Sequence, residues 1–475
     1  MSTQIQSQNL SDTNEDPLVE ASKATDDLYK IRDTYYPPNP DDKISKLHQE
    51  SLRCLNILDS LPPDTVDVKA YVLAEFRKSA MQRATFEHLK GKILDVIPEY
   101  KKEAEDHLSK AVKLNPSLTD AWLSLGNCFW KKGDLVSAKN CFTRALSKGP
   151  EKNILCQLSM LERKMAQGMC SSLFSSVASH ILFGSENQAE IVEESIKHAK
   201  EAIALDVTDG NSWYNLGNAC LTSFFVTGAW DHSRLSQSLK AYQNAEKDEK
   251  MKLNPDLFFN CATVNKYLEN YEKALSGFDA AAKIDPGLNA SEEVQKIVHL
   301  LDKLDSLLKG PTKAKRLASL VSSLAAVDVN PSYRKATVDH LFEGLNKSIA
   351  VIGKVLFFVK HENIAPLYYV VCDSNQVCFL LSVYGINDNV VRWEAGETAY
   401  FVLFIRIKEG DQITLLEPWY KNVDFPWNGK CYQFKSIRVD FKEQILVNGR
   451  AISANQALQS HALAPTPTTT MGSSP

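Results

Sequence analysis

The chain has 475 residues, of which 44% are hydrophobic and 24% are charged, and its formal net charge is -4 at pH 7. This length allows two or three packed domains, and the slightly acidic balance excludes wholesale coating of nucleic acid. The ten cysteines contain no CxxC pair, a pattern typical of reduced intracellular thiols rather than of a disulfide framework or a zinc site.

The first residues lack the apolar core of a signal peptide, and no run reaches the roughly 18 uncharged apolar residues of a membrane span. We therefore expect a soluble protein, located in the cytoplasm and the nucleus, with no membrane partner.

The N-terminal part begins with residues 1–24, whose polar composition predicts a disordered tail. Helical periodicity over residues 25–84, interrupted by the motifs PPNP and PPD, predicts helices that precede the first regular domain.

A repeat pattern is complete between Thr119 and Pro150. With Thr119 counted as position 1, eight residues occupy the tetratricopeptide positions 4, 7, 8, 11, 20, 24, 27 and 32: Trp122, Leu125, Gly126, Phe129, Ala138, Phe142, Ala145 and Pro150. Gly126 lets a second helix approach closely, and Phe142 fills the seam between the two helices. Degenerate copies on both sides predict about five repeats over residues 85–288. An insertion at 168–188 could cover one edge of the repeats or be a tolerated loop with a short helix.

The C-terminal part changes character twice. Residues 289–345 predict capping helices and a basic linker, whereas over 346–451 the hydrophobic period changes from 3.6 to 2. Five or six short strands are expected there, which favours a small OB-fold-like barrel, with a β-sandwich as the alternative. Residues 452–475 predict a second disordered tail. The fold class is thus an all-α tetratricopeptide-repeat solenoid followed by a small all-β barrel.

The sequence carries no catalytic constellation. It has no glycine-rich phosphate loop, no HExxH and no GxSxG, and its histidines have no evident nucleophile or metal partner. We expect no enzyme, no cofactor and no metal site.

A peptide-binding groove is the main candidate site, because repeats of this type bind ligands through their first helices, chiefly at positions 2, 5, 9, 12 and 13. From the residues at these positions in three repeats we select seven, and we add one arginine from the intervening repeat. The eight candidates are Asn127, Trp130, Lys131, Arg163, Tyr214, Asn218, Asp256 and Lys266. The cationic side chains can bind carboxylates, Asp256 can bind a cation, and the asparagines can hold a peptide backbone. A short extended peptide with both signs of charge suits this lining, although each residue alone could equally be a solvated surface residue.

A basic cluster is the second candidate. Lys309, Lys313, Lys315 and Arg316 place four positive charges within eight residues, which is typical of a phosphate contact such as structured RNA or of a solvated linker. The barrel aromatics Phe357, Phe358, Tyr368 and Tyr369 form adjacent pairs, so one of each pair must face the core. This pairing disfavours an exposed platform for stacking bases.

The order of these parts, together with the motifs WKKGD, LSKAVKLNP, SWYNLGN, NPDL and KAKRL, resembles the tetratricopeptide repeat protein 5 family over roughly residues 26–450. The resemblance implies repeats joined to an OB-fold and two activities. The first is recognition of the N-terminal peptide of nascent tubulin at the ribosome, followed by recruitment of mRNA-decay adaptor proteins and decay of tubulin mRNA. The second is a stress-responsive nuclear scaffold for a histone-acetyltransferase coactivator.

The resemblance also implies roles for individual residues. The family's peptide-binding arginine matches Arg163 in LSMLERK, and its peptide-binding acid matches Asp256 in NPDL. Its ribosome-contacting lysines match Lys313 and Lys315. The chain departs from the family at a further acidic groove position, which falls on Ala290, with two acidic residues, Glu292 and Glu293, nearby.

Overall fold

The computed structural model describes residues 17–60, 72–172, 183–227, 231–310, 314–324, 329–361, 365–385 and 407–452. These residues belong to two compact units, one within Met1–Leu161 and one within Glu162–Thr468. Most of the 168–188 insertion, and all but the first residue of the predicted C-terminal tail, lie outside the described residues.

The first unit consists of paired helices. They are α1 Pro17–Thr34, α2 Pro40–Asp59, α3 Val72–Leu94, α4 Lys102–Leu114, α5 Thr119–Lys132, α6 Leu135–Leu146 and the first part of α7 Lys152–Ser172. Helix α1 begins inside the stretch predicted as a disordered tail. The reason is that Ala21 and Leu28, two helical turns apart, are both buried in one apolar cluster.

The α5–α6 hairpin has the geometry that the repeat pattern predicts. A Cβ atom on Gly126 would lie only 2.3 Å from the Phe142 ring, so only glycine permits this approach. Gly133 ends α5 with φ of 86°, and the Asp134 side chain accepts from Ser137 N to start α6. The Trp122 indole is half-buried and donates to Pro116 O at 3.0 Å, which ties the hairpin to the preceding turn.

The second unit continues with helices and ends with a sheet. Its helices after α7 are α8 Phe183–Leu205, α9 Gly210–Val226, α10 His232–Ala245, α11 Pro255–Tyr267, α12 Tyr271–Ile284, α13 Ala290–Lys309 and α14 Ala314–Val321. The close approach seen at Gly126 recurs between α9 and α10, where a Cβ on Gly217 would lie 2.3 Å from Tyr242.

The strands are β1 Arg334–Ala336, β2 Gly344–Leu345, β3 Ile349–Val359, β4 Leu367–Asp373, β5 Cys378–Val383, β6 Gln412–Leu416, β7 Trp419–Trp427, β8 Lys430–Val439, β9 Ile445–Val447 and β10 Arg450–Ala451. In the described part of the chain they form one curled sheet in the order β10-β9-β6-β3-β4-β5-β8-β7-β2, with β1 beside β3. One continuous sheet excludes the sandwich alternative. The strand expected near residues 398–406 lies outside the described residues.

Both faces of the sheet are covered. Tyr369, Val371 and Phe379 face one apolar core, whereas Tyr368, Val370 and Leu380 face a second core shared with α12, α13 and α14. Adjacent residues therefore point to opposite faces and are nevertheless all buried. OB-folds bind nucleic acid on the outer face of their second and third strands, and here helices cover that face of β4 and β5.

Polar contacts fix the sheet to the C-terminal end of α11. Tyr384 Oη donates to Tyr267 O at 2.9 Å, and Arg438 Nη1 donates to the same carbonyl at 2.5 Å. The Arg438 guanidinium also lies 3.9 Å from the centre of the Tyr384 ring. A cation at the last turn complements the helix dipole and satisfies a carbonyl that the helix leaves without a partner.

Candidate peptide-binding groove

The first helices of three successive repeats, α7, α9 and α11, carry buried polar side chains in the second unit, and hydrogen bonds join α9 to each of the other two helices. Arg163 on α7 is 6% exposed and Asp256 on α11 is 2% exposed, with α9 supplying hydrogen-bond partners to both neighbouring helices. Buried polar groups are costly unless they are hydrogen-bonded, so this network is a specific feature of the fold. We call the residues Arg163, Tyr214, Asn215, Asn218, Asp256 and Asn260 the polar floor.

The α7 side of the polar floor is organised around Arg163. Its Nη2 donates to Asn215 Oδ1 at 3.3 Å. The Asn215 amide in turn donates to Asn211 O at 3.0 Å, one turn earlier on α9. Asn215 therefore accepts with its oxygen and donates with its nitrogen, which holds the Arg163 guanidinium toward α9.

The α11 side is organised around two asparagines. Asn218 Oδ1 accepts from Tyr242 Oη at 2.6 Å and from Asn260 Nδ2 at 3.2 Å. Asn260 Nδ2 also donates to Tyr214 Oη at 3.1 Å. These bonds lock helix α11 onto α9 through polar groups.

Asp256 lies in the first turn of α11 because the sequence NPD starts a helix there. The Asn254 side chain accepts from Asp256 N at 2.9 Å, and Pro255 occupies the first helical position. The positive end of the helix dipole stabilises a carboxylate at this point.

The two charges of the polar floor act on the same hydroxyl group. Burial raises the pKa of Tyr214, the Asp256 carboxylate raises it further, and the Arg163 guanidinium opposes the rise. The hydrogen bonds agree with this effect. Arg163 donates to Asn215, the residue after Tyr214, and Asp256 precedes by one helical turn the Asn260 amide that donates to Tyr214 Oη. The floor thus presents an anionic and a cationic group on either side of α9.

Lys266, another predicted groove residue, is already paired. Its Nζ lies 2.9 Å from Glu293 Oε2, and Lys296 lies 2.8 Å from the other oxygen of that carboxylate. Burial opposes ionisation of Glu293, but these two ammonium groups hold its pKa below the usual value. Ala290 is buried in the apolar core, so of the two nearby acids it is Glu293 that contacts a groove helix.

Asn127, Trp130 and Lys131 lie in the first unit, all half-buried on α5. Lys131 Nζ lies 3.2 Å from Asp95 Oδ2 and donates to Ile97 O at 2.8 Å, so its charge is committed within that unit. Burial raises the pKa of the Asp95 carboxyl to about 6 although Lys131 opposes the rise.

The basic cluster is described only at its first member. Lys309 forms an ion pair with Asp305 at 2.7 Å in the last turn of α13. Lys313 and the side chains of Lys315 and Arg316 lie outside the described residues.

Two members of the polar floor, Asn215 and Asn260, are absent from the sequence-based candidates. Each stands at position 6 of its repeat, next to the counted position 5. Position 6 of the complete repeat is Ser124, which pairs with His88 at 3.0 Å in the first unit. A polar residue at position 6 in three repeats is the signal that could have revealed these contacts.

Within the described ranges, no three His, Cys, Asp or Glu side chains are grouped so that they could hold a metal ion. The helices described for this chain include none with the length and apolar character needed to cross a membrane.

Comparison with known proteins identifies both parts of the chain. The family model of the tetratricopeptide repeat protein 5 OB fold domain matches residues 332–461, and that of the tetratricopeptide repeat matches residues 119–147. Mouse tetratricopeptide repeat protein 5 is 35% identical over 444 residues, covering 90% of this chain and 91% of the mouse protein. Its human counterpart is 32% identical over 468 residues, covering 94% of this chain and 97% of the human protein.

Two solved structures, one of them a TPR protein called YrrB, are similar to part of this chain. YrrB is 19% identical with a TM-score of 0.32, and the match covers 47% of this chain and 95% of YrrB. The MamA structure is 14% identical with a TM-score of 0.30, covering 45% of this chain and 93% of MamA.

The predicted fold class, repeats followed by an OB-fold, is confirmed by the two family matches. Proteins of this kind are non-catalytic and bind other proteins or peptides, which confirms the prediction of a protein-binding adaptor without enzymatic activity. With full-length relatives more than 30% identical, the chain belongs to the tetratricopeptide repeat protein 5 family.

Proposed function

We propose that this chain binds the N-terminal peptide of nascent tubulin at the ribosome and recruits mRNA-decay adaptor proteins, so that tubulin mRNA is degraded. The polar floor is the binding site. Arg163 receives the glutamate of the peptide, and Asp256 receives its arginine.

The single observation that carries the proposal is the placement of opposite charges on the two helices that are hydrogen-bonded to α9, with Arg163 on α7 and Asp256 on α11. A ligand with adjacent basic and acidic residues complements these two charges. Because Arg163 and Asp256 are 6% and 2% exposed, charge-assisted hydrogen bonds to a bound peptide would form in a site of low dielectric, where they are strong.

Affinity for ribosomes is the second part of the proposal. Lys313 and Lys315 are the residues we propose to contact ribosomal RNA, with Lys309 and Arg316 adding positive charge. Such contacts bring the groove near the emerging peptide and raise its effective concentration. This activity belongs to the cytoplasm.

Crosslinking to ribosome-bound nascent tubulin tests the peptide assignment. Arg163→Ala removes the cation that faces the peptide's glutamate, so we expect crosslinking to fall to background while the helix content stays unchanged. Lys164→Ala is the matched control, because it removes a neighbouring positive charge from an exposed position. Crosslinking retained in the Arg163 variant would refute the assignment.

The alternative proposal is a nuclear, stress-responsive scaffold for a transcription coactivator. That role would place the partner surface on the barrel. The covered face of β4 and β5 favours the groove instead.

A further inference from the structure

Asn260 is a polar-floor residue with an unused hydrogen-bonding group. It is 1% exposed, and within the described residues its Oδ1 has no hydrogen-bond partner. Its Nδ2 donates to both Tyr214 Oη and Asn218 Oδ1, at 3.1 and 3.2 Å. Turning the amide over would place its oxygen against Asn218 Oδ1, which can only accept, so that bond fixes which way the Asn260 oxygen points.

The unused group accepts hydrogen bonds, which limits the ligand chemistry. A buried carbonyl oxygen without a donor is unfavourable, and a ligand N–H placed there removes that cost. Asn260 follows Asp256 by four residues on α11, so the two side chains are neighbours on one helix face, roughly 5–6 Å apart at Cβ. The amide oxygen and the carboxylate therefore form two acceptors on successive turns.

Arginine and lysine differ in how they can use two such acceptors. The guanidinium carries five N–H donors in a rigid planar fork, whereas the lysine ammonium is a single point charge with three donors. A fork can donate to the Asp256 carboxylate and to Asn260 Oδ1 at the same time. An ammonium group donates from a single atom, so it spans two acceptors on successive turns less well than the planar fork does.

We propose that Asn260 is the residue that makes the groove select arginine over lysine in its ligand. This inference rests on the proposed function, because it assigns the Asp256 subsite to the basic side chain of the peptide. It extends that function by naming the side-chain class that the subsite takes and a residue that sets the preference.

The test measures the affinity of the full chain for three fluorescent peptides that differ at one position, which holds arginine, lysine or citrulline. Citrulline is the uncharged analogue of arginine. For the wild-type chain we expect the arginine peptide to bind roughly tenfold or more tightly than the lysine peptide, as expected for one hydrogen bond to a charged group. Asn260→Ala should weaken binding of the arginine peptide more than binding of the lysine peptide, so that the two peptides bind with similar affinity. Asn244→Ala is the control. Asn244 is a half-buried residue of α10 outside the polar floor, so its removal should alter neither affinity.

The outcomes separate the inference from the proposed function. If the wild-type chain binds the arginine and lysine peptides equally, the selectivity inference is wrong while the peptide function stands. Equal losses for both peptides in Asn260→Ala would make Asn260 a structural support and would also overturn it. If the wild-type chain binds none of the three peptides, the proposed function fails and the inference fails with it. Equal binding of the arginine and lysine peptides by the wild-type chain overturns the inference even if the variant does not fold.

Discussion

Residues of the polar floor have distinct tasks although all are polar and buried. Arg163 and Asp256 supply charge, Asn215 orients the guanidinium, and Asn218 joins α9 to α11. Removing charge therefore has a different effect from removing a support. The first changes ligand affinity, and the second changes the positions of the helices.

Asp256→Asn tests the role of charge at constant shape. We expect the affinity for a peptide with adjacent arginine and glutamate to fall roughly tenfold or more, because a charge-assisted hydrogen bond becomes a neutral one. Fluorescence anisotropy with the labelled peptide measures the change. Asp279→Asn, which removes a half-exposed acid of α12 paired with Lys283, should have no effect. An unchanged affinity in the Asp256 variant would exclude that residue from the site.

Sequence patterns predict the members of the site that stand at the counted repeat positions better than those at position 6. Repeat positions lead directly to Tyr214, Asn218 and Asp256, because their spacing from the Trp or Phe at position 4 is fixed. Asn215 and Asn260 stand at position 6, where the side chain turns toward the neighbouring helix, so their partners become visible only when the helices are packed. For Lys131 the sequence predicts a groove cation but cannot reveal its buried partner Asp95, which is 36 residues away.

At the scale of elements, the helix that carries Arg163 is held by an ion pair on its other side. Glu162 is 1% exposed and lies 2.9 Å from His198 Nδ1 on α8. The hydrogen bond that His198 donates to the Glu162 carboxylate raises the pKa of His198 above its usual value despite partial burial. Because the folded-state pKa is raised, the pair's contribution to stability is complete below about pH 6.5 and is lost as the pH rises through the folded-state pKa.

An NMR titration of the His198 imidazole tests this pairing. We expect His198 in the wild-type chain to titrate above the value of an exposed histidine, and Glu162→Gln to lower its pKa because the negative partner is gone. Glu190→Gln, an exposed change on the same helix α8, should leave the titration unaltered. If Glu162→Gln did not move the His198 pKa, the ion pair would not hold α7 to α8.

The elements themselves follow from local rules to different extents. Gly126 and Phe142 predict the α5–α6 hairpin correctly, because a small residue must face the ring where the helices cross, and the structure shows the same approach between Gly217 and Tyr242. The sheet is predicted as short alternating strands. The contact of the sheet with α12–α14 is not predicted. A long apolar run such as that in β4 indicates that both faces of the strand are buried, but it does not indicate which element covers each face.

At the scale of the molecule, the OB-fold supports the repeat that carries Asp256. Helix α11 begins at the polar floor and ends at Tyr267, whose carbonyl accepts from Tyr384 and Arg438 of the sheet. Lys421 on β7 donates to Asn270 Oδ1 at 2.6 Å in the turn that follows. Ligand-binding and structural contacts thus share one helix, and the barrel stabilises the groove at a distance from the peptide.

The most direct test is to capture ribosomes on the immobilised full-length chain. Ribosomes that carry nascent tubulin should be enriched over ribosomes that carry a control protein, and exchanging the tubulin N-terminal residues for those of the control should abolish the enrichment. We predict this difference because the groove binds the nascent peptide and not the ribosome itself. Equal capture of both ribosome populations would contradict it.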